Sequence, residues 1–489
     1  MNSEIRNLEP KTLWNHFADL NAVPRPSKKE ERVIQFMVNF GNNLNLETFV
    51  DKVGNVIIRK NATVGMDNRK TVVLQSHLDM VHQKNANTIF DFDNEGIKMI
   101  IEGDWVKAEG TTLGADNGLG VAAIMAILSS TNIPHPAIEA LFTIDEETGM
   151  TGAMGLEGDV LKGDILLNLD TEEDNEIGMG CAGGVDITAF KNYEEEPTPK
   201  NTIAYKISVT GLNGGHSGMD IHKGFGNANK IMNRLLHYNL AKYHVLISSI
   251  DGGSLRNAIP RESTATLVIE NQVEEAFEDS FELLATVIKN ELKIVEPNLS
   301  IELQTAELPS KVMEAAAQEL LIKGIYAAHN GVYAMSASMS DLVETSNNIA
   351  RVEVKDGSVK VGCLTRSSVN SAKMDLAQAL KATFELAGCE VSYKGDYPGW
   401  NPNPNSAILK VLENKYETVF NEKPKVVACH AGLECGILGQ NYPDMDMISF
   451  GPTIKGAHSP DERVSISSVQ KFWKFLLSIL NDIPENRDA

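Results

Sequence analysis

Cysteine is scarce: five residues in 489, at 181, 363, 389, 429 and 435, with no CxxC pair among them. That argues against a disulfide-stapled scaffold, and it favours buried thiols over a redox or metal role for the closest pair, Cys429 and Cys435. Long apolar runs are also missing. No stretch approaches the ~20 residues a membrane helix needs. The opening residues MNSEIRNLEPKTLWNHF have no basic segment followed by an apolar one, so no secretory leader is expected. Basic charge is in deficit, with 44 Lys and Arg against 66 Asp and Glu and a formal charge of −22. That balance disfavours nucleic acid and anionic membrane as partners and suits bound cations. Together these features lead us to expect a cytoplasmic protein.

What remains is an ordinary globular composition, 42% hydrophobic and 22% charged, in a chain long enough for more than one domain. Residues 11–43 carry helical spacing. VGNVIIRK, KTVVLQSHLDM, EALFTIDEE and GDILLNLD read as strands, and NGLGVAAIMAILSS as a helix packed on a sheet. This alternation predicts an α/β fold. The polar, Pro-containing KNYEEEPTPKN (191–201) reads as a linker. Beyond it, strand and helix patterns suggest two β-α-β-β-α-β units in tandem. GDYPGWNPNPNS (395–406) marks the return to α/β character, which ends in the helix ISSVQKFWKFLLSIL. The expected architecture is a discontinuous α/β domain, residues 1–187 with 396–489, and an inserted α+β domain at 188–395.

Several strand ends carry polar residues that a core strand should not. His77 and Asp79 in SHLDM are two apart, so on a strand they share a face. A carboxylate beside an imidazole supports metal-binding histidines. Asp116 sits in GADNG at the turn into the small-residue helix, Asp145-Glu146-Glu147 end an apolar run, and Asp170 ends another. His458 lies in the Gly/Pro-rich GPTIKGAHSPDE. One such Asp alone is ordinarily a turn or cap residue, but five such features can converge at the carboxyl ends of one α/β sheet. Two histidines and three carboxylates suit two divalent ions, zinc most naturally, and a bridged pair of ions suits hydrolysis. Adjacent side chains on extended backbone face opposite ways, so one glutamate can bind metal while the other acts as general base. Spacing does not say which.

Competing motifs fail. GMGCAG (178–183) fits G-x-G-x-x-G, but a strand-like GVDITAF follows it rather than a helix. Ser217 in GGHSG is out of register for a nucleophile elbow, and HExxH is absent. His82, His135, His222 and His430 have no comparable neighbours and read as structural or surface residues.

In order along the whole chain, SHLDM, GADNG, DEETGMTGA, NLDTEE, GGHSG and AHSPDE resemble the motifs of the M20 family of dizinc metallopeptidases. HLDMV, GGHSGMDIHKGFGNANK and HAGLECG are similar to its aminoacyl-histidine dipeptidase branch. The resemblance implies a mixed-sheet catalytic domain with an inserted lid, and two Zn²⁺ per chain with Co²⁺ or Mn²⁺ as substitutes. By position it implies that His77, Asp116 and Asp170 hold one ion and that Asp116, Glu147 and His458 hold the other. Asp79 would orient His77, Glu146 would be the general base, and His216 would polarise the substrate carbonyl. Asn257, Arg366 and Gly432 would bind the substrate, with Arg366 suited to its C-terminal carboxylate. The implied reaction is hydrolysis of dipeptides, Xaa-His above all, by a metal-bridging hydroxide. A family lid is often a single β-α-β-β-α-β unit that dimerises, so a homodimer and the action of His216 within or across chains both stay open. The rival readings are an N-acyl-amino-acid amidohydrolase of the same family and an inactive metal-binding scaffold. Glu146 argues against the scaffold, because holding metal does not require it.

Overall fold

The computed structural model describes residues 2–486. The chain divides into two compact units: one runs to Gly180 and adds Pro402–Ala428 and the residues from Leu433 on, and the other is Cys181–Asn401 with Cys429–Gly432. The expected boundaries at 188 and 395 fall inside the strands Gly183–Asn192 and Glu390–Tyr397. Among the described residues, no helix is long and apolar enough to cross a membrane.

The first unit is built on an eight-stranded mixed sheet. Its four central strands, Ile138–Thr143, Val72–His77, Ile165–Asn168 and Asp446–Ser449, run parallel. The first three are buried along their whole length, as expected of parallel strands covered on both faces. Helix Ala115–Ser129, apolar on every side, packs against strand Val72–His77 and helix Lys11–Leu20. Since the four strands share one direction, His77, Thr143, Asn168 and Ser449 all end at the same edge. A smaller sheet of Met99–Glu102, Trp105–Ala108, Arg463–Ser465 and Ile454–Lys455 was not foreseen from the sequence. Nor is 11–43 one helix. It breaks into Lys11–Leu20 and Glu31–Asn43, because Pro24 and Pro26 interrupt it.

The second unit is a nine-stranded antiparallel sheet whose main path is Ser300–Ala306, Thr202–Thr210, Ser263–Glu270, Leu246–Gly252, Val343–Lys355, Ser358–Ser367, Gly183–Asn192 and Glu390–Tyr397. Helices Ala228–Tyr243, Glu274–Leu292, Ala315–Ala327 and Asn370–Leu386 contribute to one buried cluster with these strands. Two β-α-β-β-α-β units are present, but nested rather than in tandem. The first strand of the outer unit, Gly183–Asn192, precedes the entire inner unit and pairs with Ser358–Ser367 and Glu390–Tyr397. The units join edge to edge where Ile250 meets Val354. The expected linker 191–201 is partly strand: Glu195–Pro197 pairs with Lys311–Met313.

Candidate dimetal active site

The parallel strand ends gather the candidate ligands. His77 closes its strand with the ring buried at 1% exposure. Its Nε2 lies 3.2 Å from Asp116 Oδ1 and 3.5 Å from Asp170 Oδ1. Its Nδ1 faces Asp79, at 3.1 Å from the backbone carbonyl and 3.4 Å from Oδ1. Asp116 turns its other oxygen to His458, with Oδ2 3.2 Å from Nε2, and Glu147 Oε2 lies 2.8 Å from that same nitrogen. Two donor triads result, His77 with Asp116 and Asp170 and Asp116 with Glu147 and His458, the donor atoms of each within 4.8 Å of one another. One carboxylate is common to both.

The three acids at 145–147 do not continue their strand, which ends at Thr143; Glu146 and Glu147 lie in a turn. Their separation into roles therefore does not come from strand alternation. Asp145, with φ of 53°, accepts from Thr151 Oγ1 at 2.8 Å and from the Thr148 hydroxyl, which fixes the turn. Asp79 holds the next two residues: Oδ1 accepts the Glu146 N–H at 3.0 Å and Oδ2 the Glu147 N–H at 3.2 Å. Glu146 and Glu147 both come within reach of His77.

The electrostatics are those of a site made for positive charge. Hydrogen bonds from its ring to the Asp116 and Glu147 carboxylates push His458 up to about 11. Burial would lower His77, but Asp170, Asp116 and Asp79 together raise it well above its usual value. Burial works against Asp79 too, yet its bonds to His77, Ser27 and the Glu146 N–H hold it down at about 2. Burial, then Asp116 and Glu147, push Asp170 up to about 6. Burial is also the main reason Glu146 lies well above the carboxylate range, with Asp170, Glu434 and Glu147 adding to it.

The donor set fits two divalent cations. With both imidazoles neutral it carries three negative charges, and Glu147 Oε1 is buried without a hydrogen-bond partner among the described residues. Imidazole and carboxylate donors suit zinc, cobalt or manganese.

Residues 73–482 match the model of peptidase family M20/M25/M40. The chain belongs to this family. It is therefore a metal-dependent peptidase. The cytosol non-specific dipeptidase of Escherichia coli (strain K12) is 42% identical over 482 residues, 99% of each chain. The crystal structure of aminoacylhistidine dipeptidase from Vibrio alginolyticus superposes with a TM-score of 0.94 at 43% identity, again covering 99% of both chains. Aminopeptidase PepT from Bacillus cereus, at 16% identity and a TM-score of 0.58 over 97% of this chain and 99% of its own, shares the fold.

The remaining candidates of this M20 peptidase lie in the second unit. His216 Nδ1 accepts the N–H groups of Gly218 and Met219 at 3.1 and 3.0 Å, which leaves the ring proton on Nε2. Burial and the charge of Arg366 lower its pKa, so the ring is a neutral donor. Asn257 is exposed and its carbonyl accepts the Ser217 N–H at 2.7 Å. Arg366 is 4% exposed and reaches Tyr397 Oη at 2.9 Å and Ser217 Oγ at 3.4 Å. Gly432 lies two residues after His430, a buried histidine whose Nε2 meets Ser346 Oγ at 2.8 Å.

Sequence reasoning passed over four buried residues of the first unit. Arg25 bonds the carbonyls of Leu78, Asp79 and Gly114. Asn117 Nδ2 binds the Leu169 carbonyl at 2.7 Å and also the Asp170 carboxylate. Glu434 Oε2 accepts from Gln75 at 2.6 Å and Thr143 at 2.7 Å, and burial pushes its carboxyl up to about 7. Glu462 accepts backbone N–H groups beside Asp116. For Asn117, Glu434 and Glu462 the signal was there, since each stands inside a motif already singled out: GADNG, HAGLECG and AHSPDE.

Proposed function

We propose that this M20 peptidase hydrolyses dipeptides with two divalent ions, zinc in the first instance, and that Xaa-His dipeptides are among its substrates. The observation that carries this reading is Asp116, which offers one oxygen to each of two histidine-containing triads. The names of the two full-length relatives agree with it. His77, Asp116 and Asp170 would hold one ion, and Asp116, Glu147 and His458 the other. Bound there, two such ions would supply Lewis acidity and activate water for attack.

The chain's own residues do the rest. Glu146 takes a proton at its carboxylate and returns it to the leaving amine nitrogen; its raised pKa suits a group that must both accept and release one. Asp79 keeps the His77 ring in place and anchors the turn that carries Glu146. His216 donates Nε2–H to the carbonyl oxygen as negative charge grows there. Arg366 pairs with the substrate's C-terminal carboxylate, with Asn257 and Gly432 beside it. The unit Cys181–Asn401 is then the substrate-binding lid. The E. coli relative's name supports a cytosolic setting.

The test is a panel of dipeptides, carnosine-type ones included, against N-acetyl amino acids on protein of measured metal content. Turnover of dipeptides with little on N-acetyl substrates is expected. The reverse preference would make the chain an N-acyl-amino-acid amidohydrolase.

A further inference from the structure

We propose that Glu462 is a positioning residue that holds the 113–116 turn so that Asp116 meets both metal positions. This inference rests on the two-ion reading above. Glu462 is 2% exposed. Its Oε2 accepts the N–H groups of Leu113 and Gly114 at 2.7 and 2.9 Å, and its Oε1 those of Ala115 and Asp116 at 2.7 and 3.2 Å. Four consecutive peptide groups therefore point at one side chain. All four partners are donors, so both oxygens must accept, and a proton on either would face an N–H.

The placement couples site-bearing loops. Glu462 lies four residues beyond His458, so it ties the loop that carries His458 to the turn that carries Asp116. Arg25, 0% exposed, grips the other side of that turn. Its Nη2 donates to the Gly114 carbonyl at 2.6 Å, while Nη1 donates to the carbonyls of Leu78 and Asp79 at 2.9 and 3.1 Å. Gly114 is thus held by its N–H from Glu462 and by its carbonyl from Arg25, and the loop after His77 is tied into the same scaffold. Buried charges are costly unless fully hydrogen-bonded. Here the two Glu462 oxygens are satisfied by backbone N–H groups of the segment that presents Asp116, and the two terminal nitrogens of Arg25 donate to carbonyls of the same scaffold, with Asn21 Oδ1 as a further acceptor for Nη2 at 3.1 Å. An ordinary cap accepts one or two N–H groups at a helix start. A carboxylate that takes four, starting before the helix and ending on the ligand residue itself, fixes the direction of Asp116.

The experiment compares wild type, Glu462→Gln, Glu462→Asp and Ile479→Val by metal titration, by the visible spectrum of the Co²⁺ form and by thermal unfolding. Gln has the shape of Glu but must turn its NH₂ toward two of the donors. Asp keeps the charge but is one methylene short. Wild type should bind two ions. Glu462→Gln should weaken the ions by about 10- to 100-fold, the usual effect of losing a partner that orients a ligand, and change the Co²⁺ spectrum. Glu462→Asp should fall between. Ile479, a core residue at 0% exposure, is the control: trimming it should lower Tm and leave metal affinity alone. Wild-type affinity and spectrum in Glu462→Gln would overturn the inference. So would failure of both Glu462 variants to fold, which would make this carboxylate a requirement of folding instead. A wild type that binds fewer than two ions would bring down the two-ion reading itself.

Discussion

Asp116 Oδ2 lies 3.2 Å from His458 Nε2, a contact across 342 positions of sequence. The other oxygen of the same carboxylate faces His77, so one side chain belongs to both triads. Asp116→Asn replaces one of these oxygens with an NH₂ that cannot ligate. It should reduce bound metal from two ions toward one or none and lower kcat more than any other single ligand change. Metal analysis after dialysis checks this. Two ions retained in Asp116→Asn would refute the bridge.

Glu146 and Glu147 must fail differently. Glu146→Gln cannot accept a proton and should lose at least ~10²-fold in kcat, the lower range for general acid–base catalysis, while metal content and KM hold. Glu147→Gln should lose affinity for one ion. If the first variant loses metal and the second does not, the two roles are exchanged.

Metal uptake should release protons at pH 7. His458 is pushed up to about 11 by Asp116 and Glu147, so without a cation its imidazole is charged at neutral pH, and a ligand must be neutral. Affinity should therefore rise with pH. Below about pH 6 Asp170 adds to the effect, because it too is then protonated. Calorimetric titration in buffers of different ionisation enthalpy measures the release. None at pH 7 would contradict the charge pattern.

Gly114 has φ of 70°, and a Cβ there would come 2.6 Å from Met80 Sδ and 2.5 Å from Arg25 Nη2. Gly114→Ala should cost about 1–2 kcal/mol for the left-handed backbone alone and more for the clash. Because the strain falls on the turn bearing Asp116, metal affinity should drop along with Tm. Chelator competition and thermal melts read the two together.

Arg366→Lys removes the bidentate fork but keeps the charge. If Arg366 grips the substrate carboxylate, KM for dipeptides should rise roughly 10-fold or more, as expected for losing a charge-assisted pair, with metal content unchanged. An unchanged KM would remove Arg366 from the binding site.

How much of this was legible beforehand depended on where each residue sits. His77, Asp116, Glu147 and Asp170 could be read because each interrupts or ends an apolar pattern, and a charge there needs a reason. His458 could be read only with its motif, since its loop has no periodicity to break. Arg25 acts on backbone groups far away in sequence, and no local pattern records where a carbonyl 53 or 89 positions on will lie; Glu462 stands inside the AHSPDE motif, but its N–H partners lie 346 to 349 positions earlier. The separation of the acids at 145–147 into two roles was read from strand alternation, yet a turn pinned by Asp145 and Asp79 presents them. The order of elements in the second unit was legible, but their nesting was not, because strand pairing between residues 183–192 and 358–367 leaves no trace in spacing.

That nesting has a consequence for how the chain is made. A growing polypeptide that has emerged as far as residue 306 already contains every strand of the inner unit, whose pairings with one another all lie between residues 202 and 306. Strand Gly183–Asn192 has emerged earlier still, but its partners do not follow until residues 358–397. It must wait through more than the length of the inner unit with its backbone unpaired, and closing so long a loop is slow. During synthesis the inner unit is therefore free to form first, while the early strand, rich in β-branched and aromatic residues, is the segment with greatest need of protection from premature pairing.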